Sequence, residues 1–115
     1  MKLPNLENAH IPRAKLTEYL LNTEHPEGRG KATFFTQFGF SVAQWEALAE
    51  ALVAHARLYD VTKVEQNRFG TRYVIEGEVN TPSGRSPNLR SVWFIEAASQ
   101  IPRLVTAYPL EGTDD

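Results

Sequence analysis

The chain has 115 residues, of which 42% are hydrophobic and 23% are charged, and its formal charge is -2 at pH 7. These values fit one globular domain with a single core. They exclude a disordered chain and a nucleic-acid binder held by general basicity alone. The absence of cysteine excludes disulfides, thiolate zinc sites and cysteine nucleophiles. The first ten residues carry neither a signal-peptide pattern nor an apolar anchor, so we expect a cytoplasmic protein that makes no membrane contact.

The first predicted element is a short helix from Pro12 to Leu21. Leu16, Tyr19 and Leu20 recur at i, i+3 and i+4, which is the spacing of one helical face. The stretch that follows, residues 22–30, contains one proline and two glycines and therefore predicts an exposed loop. Loops of this kind carry binding and catalytic residues more often than helices do.

Two further helices are predicted before the middle of the chain. Lys31 to Phe38 forms the second helix, and Gly39 is placed to end it. Ser41 and Gln44 have the spacing of a capping box, which predicts a long third helix reaching about Tyr59. Its apolar stripe consists of Val42, Trp45, Leu48, Ala49, Leu52, Val53 and Ala56.

After Asp60 the hydrophobic period changes from that of a helix to two, and turn sequences separate four segments rich in β-branched and aromatic residues. Short connections favour antiparallel pairing of neighbouring strands. The sequence thus predicts one α+β domain over residues 1–115, with three helices on one face of a four-stranded antiparallel sheet and loose ends at 1–10 and 111–115. The predicted strands are Val61 to Arg68, Thr71 to Asn80, Leu89 to Glu96 and Arg103 to Tyr108.

On the last predicted strand, Leu104, Thr106 and Tyr108 share one face because side chains alternate along a strand. Two hydroxyl groups, those of Thr106 and Tyr108, would then stand side by side on the sheet. A threonine and a tyrosine that only stabilise a sheet give the same pattern, so both interpretations stay open.

His25 lies in the predicted loop, six residues before Lys31. An imidazole near an ammonium group can transfer protons and stabilise negative charge at neutral pH. A solvated or turn-capping histidine is the alternative. His10, in the N-terminal arm, and His55, on the long helix, are expected to be structural or exposed.

Other chemistries have weaker signals in the sequence. Three separated histidines and scattered acids show no metal-ligand spacing, so no metal or cofactor is predicted. Residues 83–86 lack the spacing of a phosphate-binding loop and are better explained as a hairpin turn. Glu76 and Glu78 lie two residues apart on a strand and fit a solvated face, so they are left out of the predicted site.

The remaining candidates suit cleavage of RNA by its own 2′-hydroxyl group. This reaction needs a base for the hydroxyl proton, cations for the pentacoordinate phosphate and an acid for the leaving oxygen. The predicted catalytic residues are His25, Lys31, Thr106 and Tyr108, and the predicted substrate-binding residues are Arg85, Arg90 and Arg103.

Two segments of the chain resemble a known pattern. They comprise Asn22-Thr23-Glu24-His25-Pro26 with Gly28, Lys31-Ala32, Phe34-Phe35 and Gly39-Phe40, and the distant Pro102 to Tyr108. The pattern, which covers nearly the whole chain, resembles an uncharacterised bacterial domain family whose relatives occur as C-terminal toxin modules of polymorphic and contact-dependent inhibition proteins.

Such modules are similar to the barnase, EndoU, colicin and RelE group of ribonucleases. The resemblance implies helices followed by an antiparallel sheet, an RNA substrate and a small cognate antitoxin or immunity protein. Thr106-Ala107-Tyr108 matches the [ST]-x-Y motif of EndoU-like members, and His25 matches as the base. A second catalytic histidine is missing, which leaves Tyr108 as the candidate acid.

Three hypotheses follow from the sequence. The first is a ribonuclease toxin. The second is a non-enzymatic binding or immunity-type domain on the same fold, which the negative net charge allows. The third is a small-molecule binding module with a pocket between the loop 22–30 and the sheet. The fold alone does not choose among them.

Overall fold

The computed structural model of the protein describes residues 1–110, and the predicted loose end at 111–115 lies outside these residues. Within the described part, three helices are followed by four strands, as the sequence predicts. We number the helices α1 to α3 and the strands β1 to β4 in chain order. None of these helices is long and apolar enough to cross a membrane.

Helix α1 is not regular. It begins as one α-helical turn, Arg13–Lys15, and continues as a π-helical turn, Leu16–Leu20. The Leu21 N–H group donates to the Leu16 carbonyl over five residues, at 2.8 Å. The wider turn buries Leu16, Leu20 and Leu21 completely while Tyr19 remains half-exposed. Turns of this kind are frequent at functional sites because they redirect one side chain.

Helices α2 and α3 span Arg29–Gln37 and Trp45–Leu58. Helix α3 begins later than the capping-box spacing predicts, because Ser41 Oγ accepts the Gln44 N–H at 3.3 Å within a separate turn. Val42 belongs to this turn and is exposed, so its predicted place in the apolar stripe is wrong.

The strands are β1 (Val61–Asn67), β2 (Gly70–Glu78), β3 (Asn88–Glu96) and β4 (Arg103–Pro109), and they pair antiparallel in the order of the chain. One irregularity changes the faces of β4. Trp93 pairs with Leu104 and Val92 pairs with Thr106, so Val105 is an extra residue that forms a β-bulge. Leu104 therefore lies in the core beside Ala107, and its predicted place on the face of Thr106 and Tyr108 is wrong.

The core lies between the helices and one face of the sheet. On β3, Leu89, Ser91 and Trp93 point towards the helices, because Ser91 contacts His55 of α3. The alternate residues of β3 lie on the opposite face of the sheet, and so do Thr106 and Tyr108 of β4, which pair with them. Because β4 is the edge strand, Tyr19 of α1 and Lys31 of α2 still reach these two side chains. We call this second face the open face of the sheet.

His55, expected to be structural or exposed, is fully buried and structural. Its Nε2 lies 3.1 Å from the carbonyl oxygens of both Gly77 and Leu89, which can only accept, so Nε2 carries the proton. Its Nδ1 then accepts the Ser91 hydroxyl at 3.2 Å, and Ser91 Oγ accepts the Trp93 indole N–H at 3.0 Å. This chain of hydrogen bonds ties α3 to β2 and β3.

The first ten residues, predicted to be loose, are held at both ends. The Met1 carbonyl accepts the Val61 N–H at 2.7 Å, and Leu3 is buried in the core. The backbone N–H of His10 donates to the Pro102 carbonyl at 2.8 Å, and the His10 carbonyl accepts the Leu104 N–H at 3.1 Å. These bonds add a short parallel bridge to β4. The arm thus connects the start of β1 to the start of β4.

Candidate active site

The hydroxyl group of Tyr19 lies at the centre of a polar cluster beside β4. Lys31 Nζ, from α2, donates to the Tyr19 hydroxyl at 2.8 Å, and Thr106 Oγ1, from β4, lies 3.5 Å from the same oxygen. Helix α1, helix α2 and β4 therefore each contribute one side chain. Residues separated by 87 positions in the sequence meet at one oxygen atom.

The surroundings of Tyr19 favour its ionised form. Burial raises the pKa of the Tyr19 phenol, but the hydrogen bonds from Lys31 and Thr106 and the charges of Lys31 and Lys15 outweigh this effect and lower the pKa below its ordinary value. The ammonium groups of Lys15 and Lys31 lie 5.3 and 5.2 Å from the centre of the Tyr19 ring. Tyr19 is thus a phenol between two cations.

His25 packs edge-on against Tyr19, with the ring centres 5.0 Å apart. Its Nδ1 accepts the backbone N–H groups of Glu27 and Gly28, both at 3.0 Å. The proton of the neutral ring therefore lies on Nε2. The turn-capping role weighed for His25 in the sequence is present, and it fixes the orientation of the ring beside Tyr19.

Gly28 explains why the loop approaches α1 so closely. A Cβ atom at this position would lie 2.5 Å from the Tyr19 carbonyl oxygen and 2.9 Å from Cδ1 of the Tyr19 ring. Only glycine leaves room for this approach. The loop glycine of the sequence pattern thus sets the distance between the His25 loop and the tyrosine.

Tyr108 extends the cluster onto the open face. Lys31 Nζ lies 5.9 Å from the centre of the Tyr108 ring, so one ammonium group connects the two tyrosines. Arg90 Nη1 donates to the Tyr108 hydroxyl at 3.3 Å, while its Nε donates to Glu76 Oε2 at 2.6 Å. The hydrogen bonds to Tyr108 and Glu76 raise the pKa of Arg90, which stays charged.

The other two predicted substrate-binding arginines lie elsewhere. Arg103 is five residues from Tyr108 along β4, about 15 Å at the usual rise of a strand, and pairs with Glu96 at 3.1 Å. Arg85 lies exposed in the β2–β3 loop, where its carbonyl accepts the Thr81 hydroxyl. Within residues 1–110, only Arg90 of the three contacts a predicted catalytic residue.

The open face carries little free positive charge. Each pair of neighbouring strands is bridged by one ion pair between an arginine and a glutamate, namely Arg72–Glu65, Arg90–Glu76 and Arg103–Glu96. In contrast, Lys15 and Lys31 have no carboxylate within ion-pair distance among the residues that the structure describes. Unpaired cations thus lie beside Tyr19 rather than across the sheet.

A cleft of about 750 Å³ opens beside Tyr19. Helix α1, the His25 loop and β4 form its walls, and its size is within the usual range for small-ligand sites. We call it the Tyr19 cleft. It is lined by Pro12, Ala14, Lys15, Glu18, Tyr19, His25, Glu27, Val105 and Thr106.

The predicted site is therefore brought together in large part. His25, Lys31 and Thr106 contact Tyr19 directly. Tyr108 is connected to this group through Lys31, and Arg90 through Tyr108. Among residues 1–110, no three histidine or acidic side chains form a group that could hold a metal ion.

Sequence reasoning missed two members of the cluster. Tyr19 has the spacing of a core residue with Leu16 and Leu20, and the π-helical turn that turns it outwards leaves no clear sign in the sequence. Glu76 is the second, because its strand pattern predicts a solvated residue outside the site. Its pairing with Arg90 could have been found from the predicted meander, because the two residues are opposite each other on β2 and β3.

The described residues form an α+β domain whose helices cover one face of an antiparallel meander, with a tyrosine–lysine–threonine cluster at its β4 edge. The chain belongs to the family described as a domain of unknown function (DUF6883), whose model matches residues 2–111. The comparison with curated proteins gave no match.

A solved structure has a similar fold. It is a contact-dependent growth inhibition toxin–immunity protein complex from Klebsiella pneumoniae 342, and one of its chains matches with a TM-score of 0.70 at 16% sequence identity. The match covers 93% of this chain and 97% of that chain. At this identity the likeness shows the fold alone.

Proposed function

We propose that this protein is a metal-independent endoribonuclease toxin that cleaves RNA through the 2′-hydroxyl group of its substrate. The observation that supports this best is the meeting of Tyr19, Lys31 and Thr106 at one oxygen, at the wall of a cleft that also holds His25. Such a cluster offers a proton acceptor, hydrogen-bond donors and fixed positive charge. These are the groups that phosphodiester transesterification needs.

Tyr19 is the base in this proposal. Its lowered pKa increases the fraction of phenolate at neutral pH, and Lys31 holds the oxygen at 2.8 Å. The phenolate accepts the 2′-hydroxyl proton as the 2′-oxygen attacks phosphorus. A base works best when its pKa lies near the working pH, so the cationic surroundings of Tyr19 make it a better base than a free phenol.

His25, predicted from the sequence to be the base, takes a different role here. Its Nδ1 is occupied by two backbone N–H groups, so Nε2 of the neutral ring carries a hydrogen and cannot accept one. The Nε2–H group instead donates to a non-bridging phosphate oxygen. Together with Lys31 it stabilises the charge of the pentacoordinate phosphate.

Tyr108 is the acid in this proposal. Its hydroxyl proton passes to the 5′-oxygen as the phosphorus–oxygen bond breaks, which leaves a 2′,3′-cyclic phosphate and a 5′-hydroxyl end. The Arg90 guanidinium, whose Nη1 lies 3.3 Å from the Tyr108 hydroxyl, stabilises the resulting phenolate. Glu76 orients Arg90 through Nε and does not contact the substrate.

A toxin role agrees with the fold comparison, because the similar solved structure is a contact-dependent growth inhibition toxin–immunity protein complex. We propose accordingly that a small cognate immunity protein binds this chain. The same complex also supports the second candidate, an immunity-type binding domain without enzymatic activity, because it contains both kinds of protein. The net charge of -2 and the paired arginines of the open face favour that alternative over a general RNA-binding surface.

Expression of matched tyrosine variants separates the two candidates. Wild type, Tyr19→Phe and Tyr73→Phe are expressed from a tightly repressed promoter, and growth and the 3′ ends of total RNA are followed. Tyr73 is a suitable control because it is a half-buried tyrosine that packs against the core from β2. Both variants lose one hydroxyl group.

We expect wild type and Tyr73→Phe to arrest growth and produce 2′,3′-cyclic phosphate ends. Tyr19→Phe should lower the cleavage rate about 10²- to 10⁴-fold, the usual range for loss of a general base. Intact RNA and normal growth with the wild type would favour the binding-domain candidate instead. Equal cleavage by Tyr19→Phe and the wild type would remove Tyr19 from the mechanism.

A further inference from the structure

Lys15 is a cationic side chain of the Tyr19 cleft that the mechanism above does not use. It lies in the first turn of α1, is half-exposed and contributes to the lining of the cleft. We propose that Lys15, His25 and Thr106 form a phosphate-binding subsite in this cleft, which holds a single phosphodiester group of a nucleic-acid strand. This inference rests on the proposed function and extends it to the way in which the substrate is held.

The two lysines near Tyr19 have different surroundings. Lys31 Nζ donates to the Tyr19 hydroxyl and lies over the rings of both Tyr19 and Tyr108. Lys15 Nζ lies over the Tyr19 ring at 5.3 Å, and within residues 1–110 it makes no hydrogen bond or ion pair. Lys15 therefore has all three of its N–H donors available for an anion in the cleft.

Two further donors line the same cleft. His25 has its Nδ1 fixed by the loop backbone, which leaves the Nε2–H group as the free donor of the ring. Thr106 has a hydroxyl that reaches the Tyr19 oxygen only at 3.5 Å, which is a weak contact that can be exchanged. The three donors come from α1, the following loop and β4, so the fold rather than a local turn brings them together.

The other charges of the cleft limit which anion fits. Glu18 and Glu27 line its walls and are exposed, so a second phosphate group near them would be repelled. Pro12, Ala14 and Val105 add an apolar surface that suits the flat face of a base. One phosphodiester with an adjoining nucleoside matches this lining better than a polyphosphate does.

The subsite can be tested without cleavage. The probe is a 2′-deoxy dinucleotide, which carries one phosphodiester but no 2′-hydroxyl nucleophile, and its binding is followed by NMR chemical-shift titration. Lys15→Gln should weaken binding about tenfold, since one charge-assisted hydrogen bond is lost. Glu27→Gln should strengthen binding because a repelling carboxylate is removed.

Arg13 provides a matched control. It lies two residues before Lys15 in the same turn, but its guanidinium is placed over the Trp45 ring at 5.4 Å. Arg13→Gln changes the net charge equally and should leave the affinity within about twofold of wild type. Unfolding midpoints of all variants show whether each protein is folded during the titration.

The results separate this inference from the proposed function. Equal weakening by Lys15→Gln and Arg13→Gln, or no binding of the probe to folded wild type, would overturn the subsite. Binding that depends on Lys15 in a protein that leaves RNA intact would keep the subsite and reject the nuclease. If the wild type cleaves RNA and Lys15→Gln has an unchanged KM, the nuclease would be kept and the subsite rejected.

Discussion

His55 provides a quantitative test of how the helices are attached to the sheet. It is 1% exposed, and its ring contacts the Ser91 hydroxyl and the carbonyl oxygens of Gly77 and Leu89. His55→Leu keeps a buried side chain of similar size but removes every one of these hydrogen bonds. A buried polar group left without a partner costs about 1 to 3 kcal/mol, and the two carbonyls share one donor. We therefore expect a loss of about 3 kcal/mol in the free energy of unfolding.

The assay is denaturant unfolding followed by tryptophan fluorescence, with Ser91→Ala and the double variant completing a double-mutant cycle. A loss of about 3 kcal/mol corresponds to a fall in Tm of about 12 °C for a domain of this size. Coupling between His55 and Ser91 should exceed about 0.5 kcal/mol, because they contact each other directly. Additive effects, or a loss below about 1 kcal/mol for His55→Leu, would show that the hydrogen-bond chain does not stabilise the fold.

His55 also makes the free energy of unfolding fall as the pH is lowered. Burial lowers the pKa of His55 and outweighs the hydrogen bonds to the Gly77 and Leu89 carbonyls, which raise it. The folded pKa is thus below the unfolded value of about 6.5, so the unfolded chain binds the proton more readily. Stability is fully present above about pH 6.5 and is lost as pH falls towards the folded pKa. His55→Leu should lack this loss, and parallel pH profiles of the two proteins would contradict the reasoning.

Three further predictions concern the site and the sheet. Lys31→Met removes the main cation that lowers the pKa of Tyr19, so the rise of cleavage rate with pH should move to higher pH, as a pH–rate profile would show. Gly28→Ala places a Cβ 2.5 Å from the Tyr19 carbonyl oxygen and should reduce cleavage at least tenfold in a protein that still unfolds cooperatively, measured by initial rates and denaturant unfolding. In Gly70→Ala, the backbone keeps a φ of +154° and the new Cβ lies 2.2 Å from the Ile95 carbonyl oxygen. The free energy of unfolding should fall by about 2 to 4 kcal/mol in the same assay, and a fall of less than about 0.5 kcal/mol would exclude the collision.

The elements that sequence patterns predict well here are long ones in which hydrophobic residues recur at a regular spacing. Helix α3 and the four strands are confirmed because apolar residues recur over whole elements and turn residues separate them. The β-bulge at Val105 has no such pattern, since one extra residue reverses the faces of β4 without changing its composition. For that reason the sequence placed Leu104 on the wrong face but Thr106 and Tyr108 correctly side by side.

The cluster was predictable where residue type agrees with a loop position, as for His25, or with strand alternation, as for Thr106 and Tyr108. His25 and Lys31 stand out as a histidine and a lysine near a loop rich in glycine, and both lie beside the cluster. Tyr19 does not stand out, because a tyrosine at i+3 from Leu16 looks like a core residue. Its ring stays half-exposed within a π-helical turn whose Leu16 and Leu20 are buried, and no residue pattern in the sequence marks such a turn.

Under the proposed function, the distribution of charge favours a local mode of RNA binding over a general one. A chain with a net charge of -2 repels a polyanion at long range, and the sheet arginines that could oppose this are each paired with a glutamate. Lys15 and Lys31 lack such partners within the described residues, and both lie beside Tyr19. Beside the sheet, positive charge without a carboxylate partner is thus available where the proposed chemistry needs it. In the proposed nuclease, affinity from two lysines is modest and involves few phosphates. Selection of the proposed substrate would therefore come from contacts inside the Tyr19 cleft rather than from the surface of the sheet.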